Sequence, residues 1–140
     1  MPRRLLIAIL ALVLTAAAAG CGAQSDSATD FDGAEQDVAR TVEDLEEAGQ
    51  EDEPRRICDA LLAKELVERI KASGTDCVKA VDKALDQADS FTLTVEDVKV
   101  KGAEATARVE TGVDEEKVET LQLVKEGDAW KISGLPGASG

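Results

Sequence analysis

The chain has 140 residues, a size that fits one domain and is short for two. It contains no His and no Tyr, which removes the most common general base, the most common zinc ligand and the phenolic acid. The formal net charge is -13, and this argues against a nucleic-acid partner because phosphate contacts need clustered Lys and Arg. Composition therefore favours an acidic globular domain and excludes chemistry that depends on imidazole or phenol groups.

Residues 1–20 have the pattern of an export signal. Arg3 and Arg4 precede an unbroken apolar run over Leu5–Leu14. This run is too short to span a bilayer, because a transmembrane helix needs roughly 20 apolar residues. A short apolar run behind a positive end is typical of a signal peptide. We therefore predict that residues 1–20 are removed from the mature protein; a folded core helix here is the alternative.

The residues after this run resemble a bacterial lipobox. The sequence Ala18-Ala19-Gly20-Cys21 follows that motif except at its first position, where Leu is usual. The resemblance implies that Cys21 is lipidated and holds the mature chain at the outer face of the cytoplasmic membrane. Two or three acyl chains anchor firmly, since each buried methylene contributes about 0.8 kcal/mol. The alternative is ordinary cleavage after Ala17–Ala19, which gives a secreted protein.

The cysteine count agrees with export. If Cys21 carries lipid, Cys58 and Cys77 remain, and an oxidising compartment allows these two to form a disulfide. On the chain-entropy model such a loop contributes about 3 kcal/mol. Two buried free thiols are the alternative. A Cys nucleophile has no His to activate it, and a zinc site has no imidazole, so neither is predicted.

The chain after the leader divides into three parts. Residues 21–29 are small and polar and predict a flexible tether. Residues 30–134 carry the apolar periodicity of a folded domain, and residues 135–140 predict a disordered tail. Loss of Arg3 and Arg4 with the leader removes two positive charges and no acid, which changes the net charge from -13 to -15. A charged partner is therefore expected to be cationic.

Residues 30–89 have the spacing of helices. Asp30 or Asp32 is expected to cap the start of the first helix, where Asp32 and Glu35 resemble a capping box, and Gly49 is expected to end it. Its buried stripe is predicted to be Phe31, Ala34, Val38, Val42, Leu45 and Ala48.

Two further helical segments follow, with a break expected near Ala63–Lys64. Pro54 suits the first turn of the second segment, and Asp76 is expected to cap the third. A disulfide would then join the second segment to the third. Their apolar faces are predicted to be Ile57, Cys58, Leu61, Leu62, Leu66 and Ile70, and then Cys77, Val78, Val81, Ala84, Leu85 and Ala88.

Residues 90–134 change to the two-residue period of strands. The parity of the apolar positions switches at Glu96-Asp97, which predicts a β-bulge, and Gly102 and Glu126–Asp128 predict tight turns. Helices followed by a strand meander predict an α+β fold, with helices packed on a curved four-stranded antiparallel sheet. The apolar strand positions are Phe91, Leu93, Val95, Val98, Val100, Ala103, Ala105, Ala107, Val109, Val118, Leu121, Leu123, Val124, Trp130 and Ile132.

The layout of residues 31–134 resembles the nuclear transport factor 2-like, or cystatin-like, cone roll of small actinobacterial lipoproteins. The matching features are the amphipathic first helix, the two cysteines on the following helices, the strand–turn–strand of residues 98–105 and the closing hairpin of residues 121–132. The resemblance implies a strongly curved sheet around a cone whose mouth holds ligands or active-site groups. Members that resemble ketosteroid isomerase need a Tyr, which this chain lacks, so no catalytic residue carries over.

Three features suggest chemistry but have simpler explanations. The acidic runs at 43–47, 51–53 and 114–116 offer paired carboxylates, yet such runs are usually solvated surface charge. Asp30–Gly33 resembles a calcium loop without its further acidic ligands, so helix capping is preferred there. Trp130 is expected to fill the core rather than stack on a ligand.

These observations predict a membrane-anchored extracytoplasmic lipoprotein that binds a protein, a peptide or a small ligand. No catalytic residue, metal or cofactor is predicted, and the membrane contact is expected to be the lipid on Cys21. One alternative is a divergent cone-fold enzyme that uses only Asp or Glu, and another is a structural protein of the cell envelope. A carboxylate buried in an open cavity would favour the enzyme, whereas a filled interior would favour the binding domain.

Overall fold

The computed structural model describes residues 27–112 and 117–135, in which a helical half is followed by a sheet. The leader, Cys21 and the acidic residues 114–116 lie outside the described residues, as do residues 136–140 of the predicted tail. The elements are a 3-10 helix at Ser27–Asp30, α1 at Gly33–Gln50, α2 at Pro54–Arg56 running into a π-helix at Ile57–Leu61, α3 at Lys64–Ala72, α4 at Cys77–Asp86, β1 at Leu93–Lys101, β2 at Glu104–Thr111, β3 at Lys117–Glu126 and β4 at Ala129–Gly134.

The folded part begins before the predicted boundary at residue 30. Residues 27–29 were expected in the tether, but they belong to the 3-10 helix, and Ala28 is only 3% exposed. The physical reason is that Ala28 is small and apolar and packs into the core, although the residues around it are polar. The folded domain therefore includes residues 27–29.

Helix α1 buries most of the predicted stripe, but its two ends differ from expectation. Ala34 is exposed, and Phe31 is half-buried and packs against the core. Asp32 occupies the N-cap position, yet its side chain makes no capping hydrogen bond. Gly49 does not end the helix, which continues to Gln50. The buried residues of α1 are Val38, Ala39, Thr41, Val42, Leu45, Glu46 and Ala48.

The break between the second and third helices lies at Leu62-Ala63, next to the predicted position. Both residues have extended backbones and run alongside the outer edge of β4. The N–H of Ala63 donates to the carbonyl of Ile132 at 2.8 Å, and Leu62 forms a parallel bridge with Ile132. The chain leaves the helix because these backbone groups find partners in the sheet.

Helix α4 is capped as predicted, but its apolar face is less buried than expected. The carboxylate of Asp76 accepts from the N–H groups of Val78 and Lys79 at 3.1 and 3.4 Å. Only Cys77 is fully buried in this helix, whereas Ala84 and the following Ala88 are exposed. Helix α4 packs on the α2, π-helix and α3 segments, so the other helices rather than the sheet form its contact surface.

The disulfide expected between Cys58 and Cys77 is present. It joins the π-helix to the first residue of α4, with 6.1 Å between the two Cα atoms. Both residues are buried. The cross-link therefore connects the second and third helical segments, as the sequence predicted.

The sheet is a four-stranded antiparallel meander in the order β1-β2-β3-β4. The predicted bulge is present between Val95 and Asp97. Gly102 and Gly127, each with a φ of 63°, start the two-residue loops of the hairpins, where a positive φ is needed. Val118 does not face the core and is 47% exposed, since its pairing with Glu110 places it on the outer face.

The core lies between the inner face of the sheet and the helices, chiefly α1. The outer face is polar and exposed, which is usual for an antiparallel sheet covered on one side. Burial of a Val or Leu side chain contributes roughly 1.5–3 kcal/mol, so this interface supplies most of the stability. Its strand residues are Leu93, Val95, Val98, Ala105, Ala107, Val109, Leu121, Leu123, Trp130 and Ile132.

Candidate functional site

A groove of about 440 Å³ runs between α1, the π-helix and the β3–β4 hairpin. Thr41, Leu61 and Trp130 are buried residues at its base. Acidic and basic side chains together form its rim, so the groove presents both charges beside a few buried residues. Its lining residues are Asp37, Arg40, Thr41, Asp44, Arg56, Ala60, Leu61, Asp128, Ala129, Trp130 and Lys131.

Trp130 is a core residue whose edge reaches the groove. It is 5% exposed and belongs to the hydrophobic core cluster. The ammonium group of Lys125, its partner on β3, lies 5.9 Å from the ring centroid, within the range of a cation–π contact. The ring is thus enclosed by protein, as expected for a core-filling Trp.

Arg56 lines the groove and forms ion pairs with four nearby carboxylates. Its guanidinium lies 2.7 Å from Glu47 and 3.0 Å from Glu53, with Glu51 at 3.6 Å and Asp44 at 3.9 Å. The hydrogen bonds to Glu47 and Glu53 raise the pKa of Arg56 above its usual range. Part of the acidic run is therefore a salt-bridge network in which Arg56 offsets one of four negative charges.

Other rim charges remain available to a ligand. Among the described residues, Asp37, Arg40 and Asp128 form no side-chain ion pair. Lys131 is engaged, because its Nζ donates to the carbonyl of Ala60 in the π-helix. π-helical turns are frequent at functional sites, and this one forms a wall of the groove.

Glu46 is a buried acid that sequence analysis placed with the solvated run. Its residue is 8% exposed. The pKa of Glu46 is raised, chiefly by burial and to a smaller extent by the negative charge of Glu43. Hydrogen bonds from the backbone of Leu93 and from the side chain of Gln50 lower the pKa and offset part of this rise. Glu46 lies at the contact of α1 with β1 and does not line the groove. Its spacing of four and eight from Val42 and Val38 was the available signal for burial.

Two further depressions occur elsewhere. One of about 520 Å³ crosses the outer face of the sheet, where Lys99 and Lys101 lie at one end and Glu65 contributes from α3. Another of about 400 Å³ lies beside Cys58, between Lys64, Glu68 and Glu126. Both combine exposed charged side chains with a few buried residues, which are Ala105 and Leu123 in the first depression and Cys58 and Leu62 in the second.

The calcium-like segment Asp30–Gly33 serves the fold. Asp30 ends the 3-10 helix and Asp32 precedes α1. Within residues 27–112 and 117–135, no group of three or more acidic or Cys side chains is placed to hold a metal ion. In the same ranges, no helix has the length and apolar character needed to cross a membrane.

Sequence comparisons add no relative against which to test these sites. A scan against protein-family models found no match, and a search of curated proteins found none either. The groove and the buried acid are therefore interpreted from their own geometry and charge.

Proposed function

We propose that this chain is a lipid-anchored extracytoplasmic domain that binds a protein or small ligand and does not act as an enzyme. The observation that carries the proposal is the disulfide between Cys58 and Cys77. This pairing suits an oxidising compartment and leaves Cys21 as the one other cysteine of the sequence, at the position that the lipobox resemblance assigns to lipid.

We also propose that the domain is a nuclear transport factor 2-like cone roll. Helices that precede an antiparallel meander and cover one of its faces support this assignment. In the cone-roll proposal, the interior is filled by fully buried side chains, among them Val38, Val42, Val109, Leu123 and Ile132. A filled interior supports a binding role over catalysis inside the cone.

The chemistry of the buried acid supports the same choice. Among the described residues, Glu46 is the only carboxylate in the buried class. It accepts hydrogen bonds from Gln50, at 3.0 Å, and from the backbone of Leu93. A general acid or base needs access to its substrate, whereas Glu46 is occupied by contacts that join α1 to β1.

We place ligand binding in the groove between α1 and the hairpin. Three carboxylates of its lining are balanced by Arg40, Arg56 and Lys131, so the negative field at the groove comes from the whole mature chain, whose net charge is -15 after loss of the leader. A cationic segment of a partner protein is the ligand class that this field attracts. Arg40 would then select partners that also carry a hydrogen-bond acceptor.

Membrane fractionation tests the anchor. The full chain and its Cys21→Ser variant are expressed in a bacterial host, and the mass of the purified product is measured. We expect the unaltered chain in the membrane fraction with a diacylglyceryl-modified Cys21, and the variant in the medium. An unmodified Cys21, or equal membrane retention of the variant, would contradict the proposal.

Capture of partners tests the binding role. Membrane-anchored protein is cross-linked to its partners, and the captured species are compared between the unaltered chain and the variant Asp37→Asn/Asp128→Asn. We expect cationic proteins whose capture weakens with added salt and with the paired substitution. Turnover of a hydrolase or isomerase substrate that disappears in Glu46→Gln would instead establish the enzyme.

A further inference from the structure

We propose that Ser27–Asp30 is a clasp that sets how the anchored domain lies on the membrane. The clasp holds the flank of the domain formed by α1 and β1 near the lipid, and it leaves the groove open to the side. This inference rests on the proposed lipid anchor at Cys21, which gives the clasp its mechanical role.

The clasp is bound to α1 through its backbone. The N–H of Ala28 donates to Oε1 of Glu43 at 2.6 Å, and its carbonyl accepts from Nε2 of Gln36 at 3.3 Å. The N–H of Phe31 also donates to this carbonyl, at 3.3 Å. With both backbone groups of Ala28 satisfied and its side chain in the core, the segment is a docked part of the fold.

Docking shortens the tether. Six Cα steps separate Cys21 from Ser27, which span at most about 20–22 Å. If the clasp detached, the tether would extend to Gly33, and twelve steps span at most about 40–43 Å. A domain of this size has a radius of gyration of about 13 Å, so only the longer tether lets the domain turn its opposite side to the membrane.

The clasp and the groove lie on different flanks of α1. Gln36 and Glu43 are seven residues apart and share one flank, because each residue advances a helix by about 100°. Asp37 and Asp44, which line the groove, are displaced from them by about a quarter turn. With the domain anchored through the docked clasp, the groove therefore opens along the membrane and not into it.

Hydrogen exchange and energy transfer test this role. Lipidated full-length product is placed in vesicles with dansyl-labelled headgroups, and transfer from Trp130, the only Trp of the sequence, reports its distance from the lipid. Glu43→Ala and Ala28→Asp are designed to release the clasp. Glu35→Ala is the matched control, since Glu35 is an exposed acid in the first turn of the same helix.

We expect a protected Ala28 amide in the unaltered chain and at least tenfold faster exchange in Glu43→Ala, with lower transfer efficiency in both release variants. Glu35→Ala should change neither measurement. Unprotected Ala28 in the unaltered chain, or unchanged transfer despite faster exchange, would overturn the clasp. If Cys21 carries no native lipid, its thiol is coupled to a maleimide lipid, so failure of the anchor and failure of the clasp are read separately.

Discussion

The ring of Phe91 lies against the backbone of Gly49, so a Cβ atom at position 49 would fall 2.1 Å from Cδ1 of the ring. Nothing in the backbone of Gly49 itself requires glycine, because its φ is not in the left-handed region. The residue is therefore needed for close approach between the end of α1 and the segment that leads into β1. Nε2 of Gln50, which donates to the carbonyl of Phe91 at 3.1 Å, adds a second contact at this point.

We expect Gly49→Ala to lower the free energy of unfolding by about 1 kcal/mol. Overpacking costs about 1–3 kcal/mol, which exceeds the roughly 1 kcal/mol that Ala gains over Gly in a helix. In a Phe91→Ala background the same change should become neutral or stabilising. Urea unfolding of the four proteins in this cycle measures the coupling, and equal effects of Gly49→Ala in both backgrounds would contradict the close-approach explanation.

Removal of the disulfide should lower the free energy of unfolding by about 3 kcal/mol, because the cross-link restricts the unfolded chain. The test is urea unfolding of Cys58→Ala/Cys77→Ala beside the unaltered protein. A reductant should destabilise the unaltered protein and leave the double variant unchanged, so the double variant is the control for other effects of the reductant. Equal stability of the two oxidised samples would show that the cross-link is not formed in solution.

Glu46 should make stability fall as pH rises. Burial raises its pKa in the folded protein above the ordinary value of 4.5, so between these two pKa values the folded state binds more protons than the unfolded state. The contribution of Glu46 is thus fully present below about pH 4.5 and is lost as pH increases through the folded-state pKa.

The difference in unfolding free energy between the unaltered protein and Glu46→Gln isolates this contribution. As pH is raised from 4 to 8, we expect the unaltered protein to lose stability relative to Glu46→Gln. Urea unfolding at each pH measures this change. Glu35→Gln reports the effect of removing one exposed negative charge from the same helix. A difference that is flat with pH for Glu46→Gln would mean that the carboxyl is hydrated in solution.

Arg56→Gln should destabilise the protein more at low salt than at high salt. The substitution leaves Glu47, Glu53 and their neighbours without the cation that neutralises them, and added salt screens the resulting repulsion. Arg55→Gln is the matched control, because Arg55 is exposed and forms no ion pair within the described part of the chain. Thermal unfolding midpoints at two salt concentrations measure the effect, and identical salt dependence of the two variants would contradict the network.

The local features of this fold, the disulfide and the strand meander were predicted from sequence, whereas the other contacts between distant segments were not. The bulge at Val95–Asp97 and the cap at Asp76 follow from parity and from a side chain near its own backbone. The break at Leu62-Ala63 was predicted only as a break, since its cause is pairing with Ile132 seventy residues away. Gly49 was predicted to end the helix because the residue that requires glycine there, Phe91, lies far along the chain in the segment before β1.

The candidate groove was beyond sequence analysis for the same reason. Its walls come from α1, the π-helix and β4, which no local pattern brings together. The acidic runs were recognised, but their residues have three different surroundings: some bind Arg56, Glu46 is buried, and others lie on the groove rim. Which of these applies depends on the neighbour that each side of α1 contacts. The helical period places Glu46 on the apolar side of α1, but its charge led to the prediction of a solvated residue.

The short extended stretch at Leu62-Ala63 also bears on aggregation. By bonding to Ile132 it covers one margin of the sheet, which an unpaired strand from another molecule would otherwise use as a template. The opposite margin, β1, carries a bulge at Val95–Asp97 together with Lys99 and Lys101, features that discourage such addition. Chains held at high density on a two-dimensional surface would gain most from this protection, because their sheets meet far more often than those of freely diffusing molecules.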